Sequence, residues 1–352
     1  MGKRDDMVLS YFNQISCEKN KLVSVVIELL TQCNVFCKHC YLAEHNNKGL
    51  TTETVKRLLH DLRSVGVIDV TFTGGEIFLR KDIFEIIEEA RKLYMRVFLL
   101  SNATLIDKEK AFQLKKLHIA QFSTTVFSLK PEIHDLITGV RGSHKKTLMG
   151  IQALKENNVA VNIKMPIMKY NVGEIREIFD FCQDNYFDFL ASPNIFQRND
   201  GDKSPELLQV NGKELYEAVK LIDELETGFD YGDVNNYVQK NKYDVPCIAI
   251  FSSLAIDSVG DVYPCNSFLY KVGNILESSI NEIWNESEKL RFIKSIKRSD
   301  LTKCCSCEFA NNCTRCPGMA LAECNDMLGC DPFAYKLAQI RRNHYDLITL
   351  EK

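Results

Sequence analysis

Cys33, Cys37 and Cys40 fall close together in the stretch TQCNVFCKHCYL, directly after an apolar run. A disulfide takes two thiols and a closed structural zinc takes four donors, so a triplet completes neither unaided. Thiolates are also the ligands of iron–sulfur clusters, and a cubane cluster has four irons to satisfy. Three cysteines around such a cluster would leave one iron open to something that is not protein. The plainer alternative is a zinc site completed by His39 or a distant residue.

The other cysteines are unevenly placed. Of 14 in the chain, three lie at 33–40 and nine between 247 and 330, leaving Cys17 and Cys182 as ordinary thiols. The N-terminus, MGKRDDMVLSYF, lacks the apolar centre of an export signal, and no apolar run approaches a membrane span. A cytoplasmic chain keeps its thiols reduced, which favours metal or redox chemistry over a disulfide framework. The formal charge of −3 gives no electrostatic case for nucleic acid. The basic run 289–303 (KLRFIKSIKRSDLTK) reads as a solvated helix face.

The elements that must position the triplet are legible as an alternation. Strands are expected at VSVVIELL (23–30), DVTFTGG (69–75), RVFLLSN (96–102), IAQFSTTVF (119–127), VAVNIKMPIM (159–168) and FDFLASPNIF (187–196). Between them, TTETVKRLLHDLRSVG, RKDIFEIIEEARKLY, DKEKAFQLKKL, HKKTLMGIQALKENN and VGEIREIFDFCQDN carry apolar residues at three- and four-residue intervals, as helices do. Six strand–helix units imply an α/β fold: a partial (β/α)6 barrel of the TIM type, too short to close, with its chemistry on the loops after the strand C-termini. The triplet, Thr73-Gly74-Gly75-Glu76 and Ser101-Asn102 all follow strands and so share that face.

The expected organisation is an N-terminal extension at 1–22, a barrel at 23–205, a linker helix region at 206–240 and a cysteine-rich domain at 241–352. The polar break NDGDKSPE (199–206) and a helix at 212–226 mark the boundary.

Cys33-x3-Cys37-x2-Cys40-Tyr41, followed by Gly74-Gly75-Glu76, resembles the radical S-adenosylmethionine (SAM) superfamily. The resemblance implies a [4Fe-4S] cluster on Cys33, Cys37 and Cys40 whose open iron chelates SAM. It implies that the glycine turn lets backbone approach the SAM amino group with Glu76 beside it, and that Ser101-Asn102-Ala103-Thr104 borders the ribose, although Gly is more usual at Ala103. Ser123 and Arg198 are candidates for ribose and carboxylate contacts. The segment 131–151 (PEIHDLITGVRGSHKKTLMGI) resembles the peptide-modifying branch, and its His134 reads as a structural residue at a helix start.

The C-terminal pattern resembles the SPASM domain: Cys247, Gly260-x4-Cys265, then Cys304-x2-Cys307-x5-Cys313. It departs in two places. Cys313 and Cys316 are separated by two residues rather than three, and Tyr335 stands in the region of the usual last cysteine. Carried over by position, Cys247, Cys265 and Cys316 would serve a first auxiliary [4Fe-4S] cluster with its fourth ligand unassigned. Cys304, Cys307, Cys313 and Cys330 would serve a second, with Cys324 in reserve and Cys305 spare.

The resemblance implies a maturase of a ribosomally made peptide that cleaves SAM reductively and installs a thioether or carbon–carbon cross-link. Its expected partners are the precursor peptide and an electron donor such as a flavodoxin or ferredoxin. Only about 22 residues precede the first strand, too few for a leader-binding module. Leader recognition would then fall to a separate protein or to another surface of this chain. The alternatives are a SPASM-type dehydrogenase acting on a protein Ser or Cys or on a small alcohol, and a non-enzymatic cysteine-rich metal-binding protein.

Overall fold

A computed structural model describes residues 18–227 and 245–350. Cys17 and the expected linker beyond Thr227 lie outside the described residues. Six parallel strands run in chain order: β1 (Ser24–Glu28), β2 (Asp69–Thr73), β3 (Arg96–Leu100), β4 (Gln121–Thr125), β5 (Val161–Pro166) and β6 (Asp188–Ser192), each hydrogen-bonded to the next. The observed strands are shorter than the apolar runs that announced them, because the runs continue into the functional loops.

The helices between them are α1 (Thr52–Ser64), α2 (Ile83–Lys92), α3 (Lys108–Lys116), the pair α4 (Pro131–Thr138) and α5 (Ser143–Glu156), and α6 (Ile175–Asn185). Local chemistry starts them where they start. The Thr51 side chain accepts from Thr54 N, and Asp107 from Lys110 N, each satisfying an otherwise orphaned first-turn amide. Val55, Leu58, Leu59 and Leu62 then put one stripe of α1 into the core.

Register gives the sheet two unlike faces. Ile27, Phe72, Leu99 and Phe122 sit side by side across β1–β4, all fully buried under the helices. The opposite face holds their strand neighbours, with Glu28 paired to Thr73, Leu100 to Ser123 and Thr125 to Lys164. Successive strand residues point to opposite faces, so this second row, with its hydroxyls, carboxylate and lysine, turns into the open barrel.

The C-terminal cysteine-rich region also joins the sheet. β7 (Ser253–Ile256) pairs parallel with β1, and β8 (Asp261–Tyr263) and β9 (Gly273–Asn274) continue it antiparallel, giving nine strands in the order β6-β5-β4-β3-β2-β1-β7-β8-β9. The first cysteines of this region, Cys247 and Cys265, therefore bracket two strands built onto the barrel edge. Among the described residues the further helices are α7 (Gly212–Thr227), α8 (Ile280–Glu286), α9 (Glu288–Ser295), α10 (Pro317–Cys324) and α11 (Pro332–Leu350). Arg341 of α11 forms a forked pair with Asp223 of α7, at 2.9 and 3.0 Å. The basic run begins in α9, which buries Leu290 and Ile293 and leaves Lys289 and Arg291 exposed, and continues beyond its end. No helix among the described residues is long and apolar enough to cross a membrane.

Candidate functional site

The loop carrying Cys33, Cys37 and Cys40 leaves the C-terminal end of β1 and is held on three sides. Gly75 N donates to Leu30 O at 2.9 Å and Glu76 N to Gln32 O at 2.8 Å, stitching the turn after β2 to it. A Cβ at Gly74 would meet Leu30 O at 2.2 Å and one at Gly75 would meet Gln32 O at 2.3 Å, and Gly74 also has φ +141°. Only glycine permits this approach of two backbones. On another side, Phe36 N and Lys38 N donate to the carbonyls of Thr138 and Ile137 at the end of α4. Arg80 clasps the returning loop through the carbonyls of Leu29, Lys48 and Leu50 while Asp82 holds its other edge.

Glu76 differs from its expected place beside the cleft. Its side chain is wholly buried and accepts from Phe78 N, Ser101 Oγ and Asn102 N, at 2.8 to 2.9 Å. Burial pushes its carboxyl above the usual range, while these donors pull it back. Glu76 thus ties the loops after β2 and β3 together, and Ser101 faces the carboxylate rather than open space. Asn102 donates to Asn34 at 2.8 Å and lies 3.9 Å from the Cys33 sulfur. Ala103 has φ +60°, the left-handed conformation that explains why glycine would be the easier residue there.

The three thiols face one cleft of about 180 Å³, walled by Gly74, Gly75, Ser101, Asn102, Ser123 and Lys164 among others. Burial raises all three thiols, Cys33 to about 11 and Cys37 further, and Cys40 adds to the shifts of Cys33 and Cys37. They are close enough to repel as thiolates, which is the condition a cationic metal centre relieves. No group of His, Cys, Asp or Glu among the described residues converges tightly enough to hold a single metal ion. The cleft wall also carries four buried polar atoms without partners: His39 Nδ1, His45 Nε2, Thr124 Oγ1 and His134 Nδ1. Burial lowers His39 and His134 to about 4, so both rings are neutral near pH 7.

Arg198 is not on this wall. It lines a neighbouring cavity of about 440 Å³ with Gln197, Asn199, Asn266, Ser267, Gly318 and Met319, between the loop after β6 and the C-terminal region. Its charge still reaches the Cys40 thiol. Tyr41 borders both cavities.

Two residues in the barrel mouth are not singled out by sequence motifs. Lys164 of β5 is the only lysine or arginine on the cleft wall among the described residues, and burial lowers its pKa. Glu28, at the end of β1, accepts from the Tyr41 hydroxyl at 3.3 Å and is raised to about 7 by burial and by Asp257. The available signal was a charged residue at an inward-facing strand position.

The C-terminal thiols form two neighbourhoods. Burial lifts Cys265 to about 11, with Cys316 and Cys247 adding to it. Gly318 brings this about, since a Cβ there would meet Ser267 O at 2.1 Å, pressing the start of α10 against the loop after Cys265. Asp331 accepts from Cys316 N at 3.0 Å and from Ala334 N at 2.9 Å. Separately, Cys330 is raised by burial and then by Cys304 and Cys307. Cys313 is half-buried, whereas Cys305 and Cys324 are exposed. Tyr335 packs edge-on against Phe309, 5.3 Å between ring centres.

Comparison with known proteins bears on both regions. A family model for the radical SAM superfamily matches residues 27–182, and one for an iron–sulfur cluster-binding domain, SPASM, matches 247–317. The chain is 26% identical to an AdoMet-dependent heme synthase of Methanosarcina barkeri over 87% of this chain and 94% of that one. It is 27% identical to the antilisterial bacteriocin subtilosin biosynthesis protein AlbA of Bacillus subtilis, over 82% of this chain and 66% of that one. Among solved structures, Streptococcus suis SuiB bound to precursor peptide SuiA has the same fold, with a TM-score of 0.67 at 20% identity, covering 90% of this chain and 78% of that one.

Proposed function

Because the chain belongs to the radical SAM superfamily and carries its SPASM iron–sulfur domain, we propose that it is a maturase that cross-links a ribosomally made peptide through a thioether or carbon–carbon bond. It is an enzyme whose cofactors are [4Fe-4S] clusters and SAM. When bound, the reduced cluster and SAM would supply the chemistry of hydrogen-atom abstraction from the substrate.

The cleft suits that pair of groups. Its donor set among the described residues is three sulfurs with no fourth cysteine, and its unpartnered Thr124 hydroxyl and His134 ring nitrogen are available to a polar ligand. In this reading Cys33, Cys37 and Cys40 hold the cluster, with the Asn102 amide against the Cys33 sulfur. Gly74 and Gly75 keep the neighbouring turn close, Glu76 fixes Ser101 and Asn102 in place, and Lys164 presents a positive charge to an anionic group.

The observation that carries the peptide reading is the second cavity. It shares Tyr41 as a wall with the cleft, runs beside the residues that follow Cys265 and Cys316, and offers the carboxamides of Gln197, Asn199 and Asn266. Carboxamides both donate and accept, which suits the amides of an extended peptide. The relatives named for bacteriocin biosynthesis and for a bound precursor peptide support the same reading. Cys247, Cys265 and Cys316 would hold one auxiliary cluster, and Cys304, Cys307, Cys313 and Cys330 the other.

A second reading, modification of a tetrapyrrole, is favoured by the similarity to a heme synthase. One experiment separates them: anaerobic reaction with SAM, reductant and either a short peptide encoded beside the gene or an iron porphyrin, read by mass spectrometry. Loss of two hydrogens from the peptide supports the maturase. Conversion of the porphyrin with the peptide untouched would replace it.

A further inference from the structure

Arg315 lies between Cys313 and Cys316 and is 8% exposed. Its Nε donates to Gly329 O at 2.8 Å and its Nη2 to Met327 O, but Nη1 is buried with no partner. No Asp or Glu forms an ion pair with it among the described residues. Asp331, a nearby carboxylate that acts on Cys316 and Cys330, accepts from two backbone amides instead. A buried guanidinium without a counter-charge is costly, so the fold must supply negative charge from another source.

The candidates are sulfurs. Arg315 stands two positions after Cys313 and directly before Cys316 in the chain. The carbonyls that Arg315 grips belong to residues 327 and 329, just before Cys330, so the same side chain spans two segments of this thiol set.

We propose that Arg315 is the charge-compensating residue of the cluster held by Cys304, Cys307, Cys313 and Cys330, with Nη1 the donor available to its sulfurs. The proposal rests on reading that thiol set as a cluster site. Adding one electron increases the negative charge of such a cluster. A fixed cation and a hydrogen bond to sulfur therefore stabilise the reduced form more than the oxidised one and raise the reduction potential. Arg315 also orients Cys330 by fixing the loop before it. It is a positioning and tuning residue and touches no substrate.

The test is an anaerobic redox titration with dithionite, followed by electron paramagnetic resonance, with iron and sulfide measured per chain. Working in the Cys33→Ala, Cys37→Ala, Cys40→Ala background leaves only the auxiliary signals. Adding Cys304→Ala and Cys307→Ala identifies which signal belongs to this set. Arg315→Gln should shift the reduction equilibrium of that signal at least tenfold toward the oxidised form, a fall of 59 mV for one electron. The other auxiliary signal should stay in place, and Arg315→Lys, which keeps the charge, should stay near the parent potential. An unmoved potential in Arg315→Gln, or an equal fall in Arg315→Lys, overturns the proposal. If Arg315→Gln does not hold iron, Arg315→Lys decides: a loaded cluster at the parent potential supports the charge role, and failure to load overturns it. Absence of any signal that depends on Cys304 and Cys307 would instead remove the cluster reading itself.

Discussion

Ser101 donates to both carboxylate oxygens of Glu76, at 2.8 and 2.9 Å, inside a contact closed to solvent. Two more donors, Phe78 N and Asn102 N, complete the shell. Glu76→Gln would turn an amide nitrogen, a donor, against one of these N–H groups, at a cost of about 1–3 kcal/mol. Ser101→Ala leaves the Phe78 N and Asn102 N bonds to the carboxylate intact but takes away the acceptor of Ala103 N, 3.1 Å from the Ser101 hydroxyl, and should cost about 1–2 kcal/mol. Denaturant midpoints should therefore fall further for Glu76→Gln, with SAM affinity falling in the same order. The reverse order would contradict the role of Glu76 as the tie between the two loops.

Lys164 carries the cleft's only lysine or arginine charge among the described residues. A hydrogen bond to a charged group contributes about 1.5–3 kcal/mol, so Lys164→Met should weaken SAM binding roughly 10- to 100-fold. Iron content should be unchanged, since no thiol is touched. Equal SAM affinity in equilibrium dialysis of the two proteins would mean that the lysine faces another ligand.

Glu28 gives a pH signature with a definite sign. Its pKa is raised from 4.5 to about 7, so the folded state holds that proton more tightly than the unfolded chain. The stabilisation is fully present below pH 4.5 and is lost as pH rises to about 7. Over that window the loss is roughly 3 kcal/mol at 1.36 kcal/mol per pKa unit. Glu28→Gln should thus unfold at a higher urea concentration than wild type at pH 8, and the two should converge near pH 4. A difference independent of pH would contradict the burial of a titrating carboxyl there.

Cys330 and Cys324 are the two possible last ligands of the second auxiliary site. Cys330 lies within electrostatic reach of Cys304 and Cys307, while Cys324 is exposed at the end of α10. Cys330→Ala should lower iron and sulfide per chain, and Cys324→Ala should leave both at the wild-type level. The opposite pattern would exchange their assignments.

Much of this arrangement is legible in the sequence, and the limits are physical. The strand–helix alternation gives the six barrel units because burying one helix stripe against a sheet imposes both periods. The cysteine spacing brings out the cleft because ligands on one short loop need no long-range information. By contrast, β7 pairs with β1 through backbone hydrogen bonds, which leave no side-chain signature, so a compositionally distinct domain is in fact continuous with the barrel sheet. Glu76 is recognisable as part of a motif, yet its partners, Ser101 and Asn102, come from another loop 25 and 26 residues on. Arg198 falls on the cavity next to the expected one because the loop after β6 turns toward the C-terminal region. Lys164 and Glu28 are isolated charges within strands, and their importance appears only when register shows which face turns inward.

The most direct test of the account is the iron, labile sulfide and zinc content per chain after anaerobic reconstitution, in wild type and in the Cys33→Ala, Cys37→Ala, Cys40→Ala variant. Three four-iron clusters predict roughly 12 irons with matching sulfide, falling to about 8 in the variant, which should also form no 5′-deoxyadenosine. Zinc without sulfide, or an iron content that the triple substitution leaves unchanged, would contradict the account.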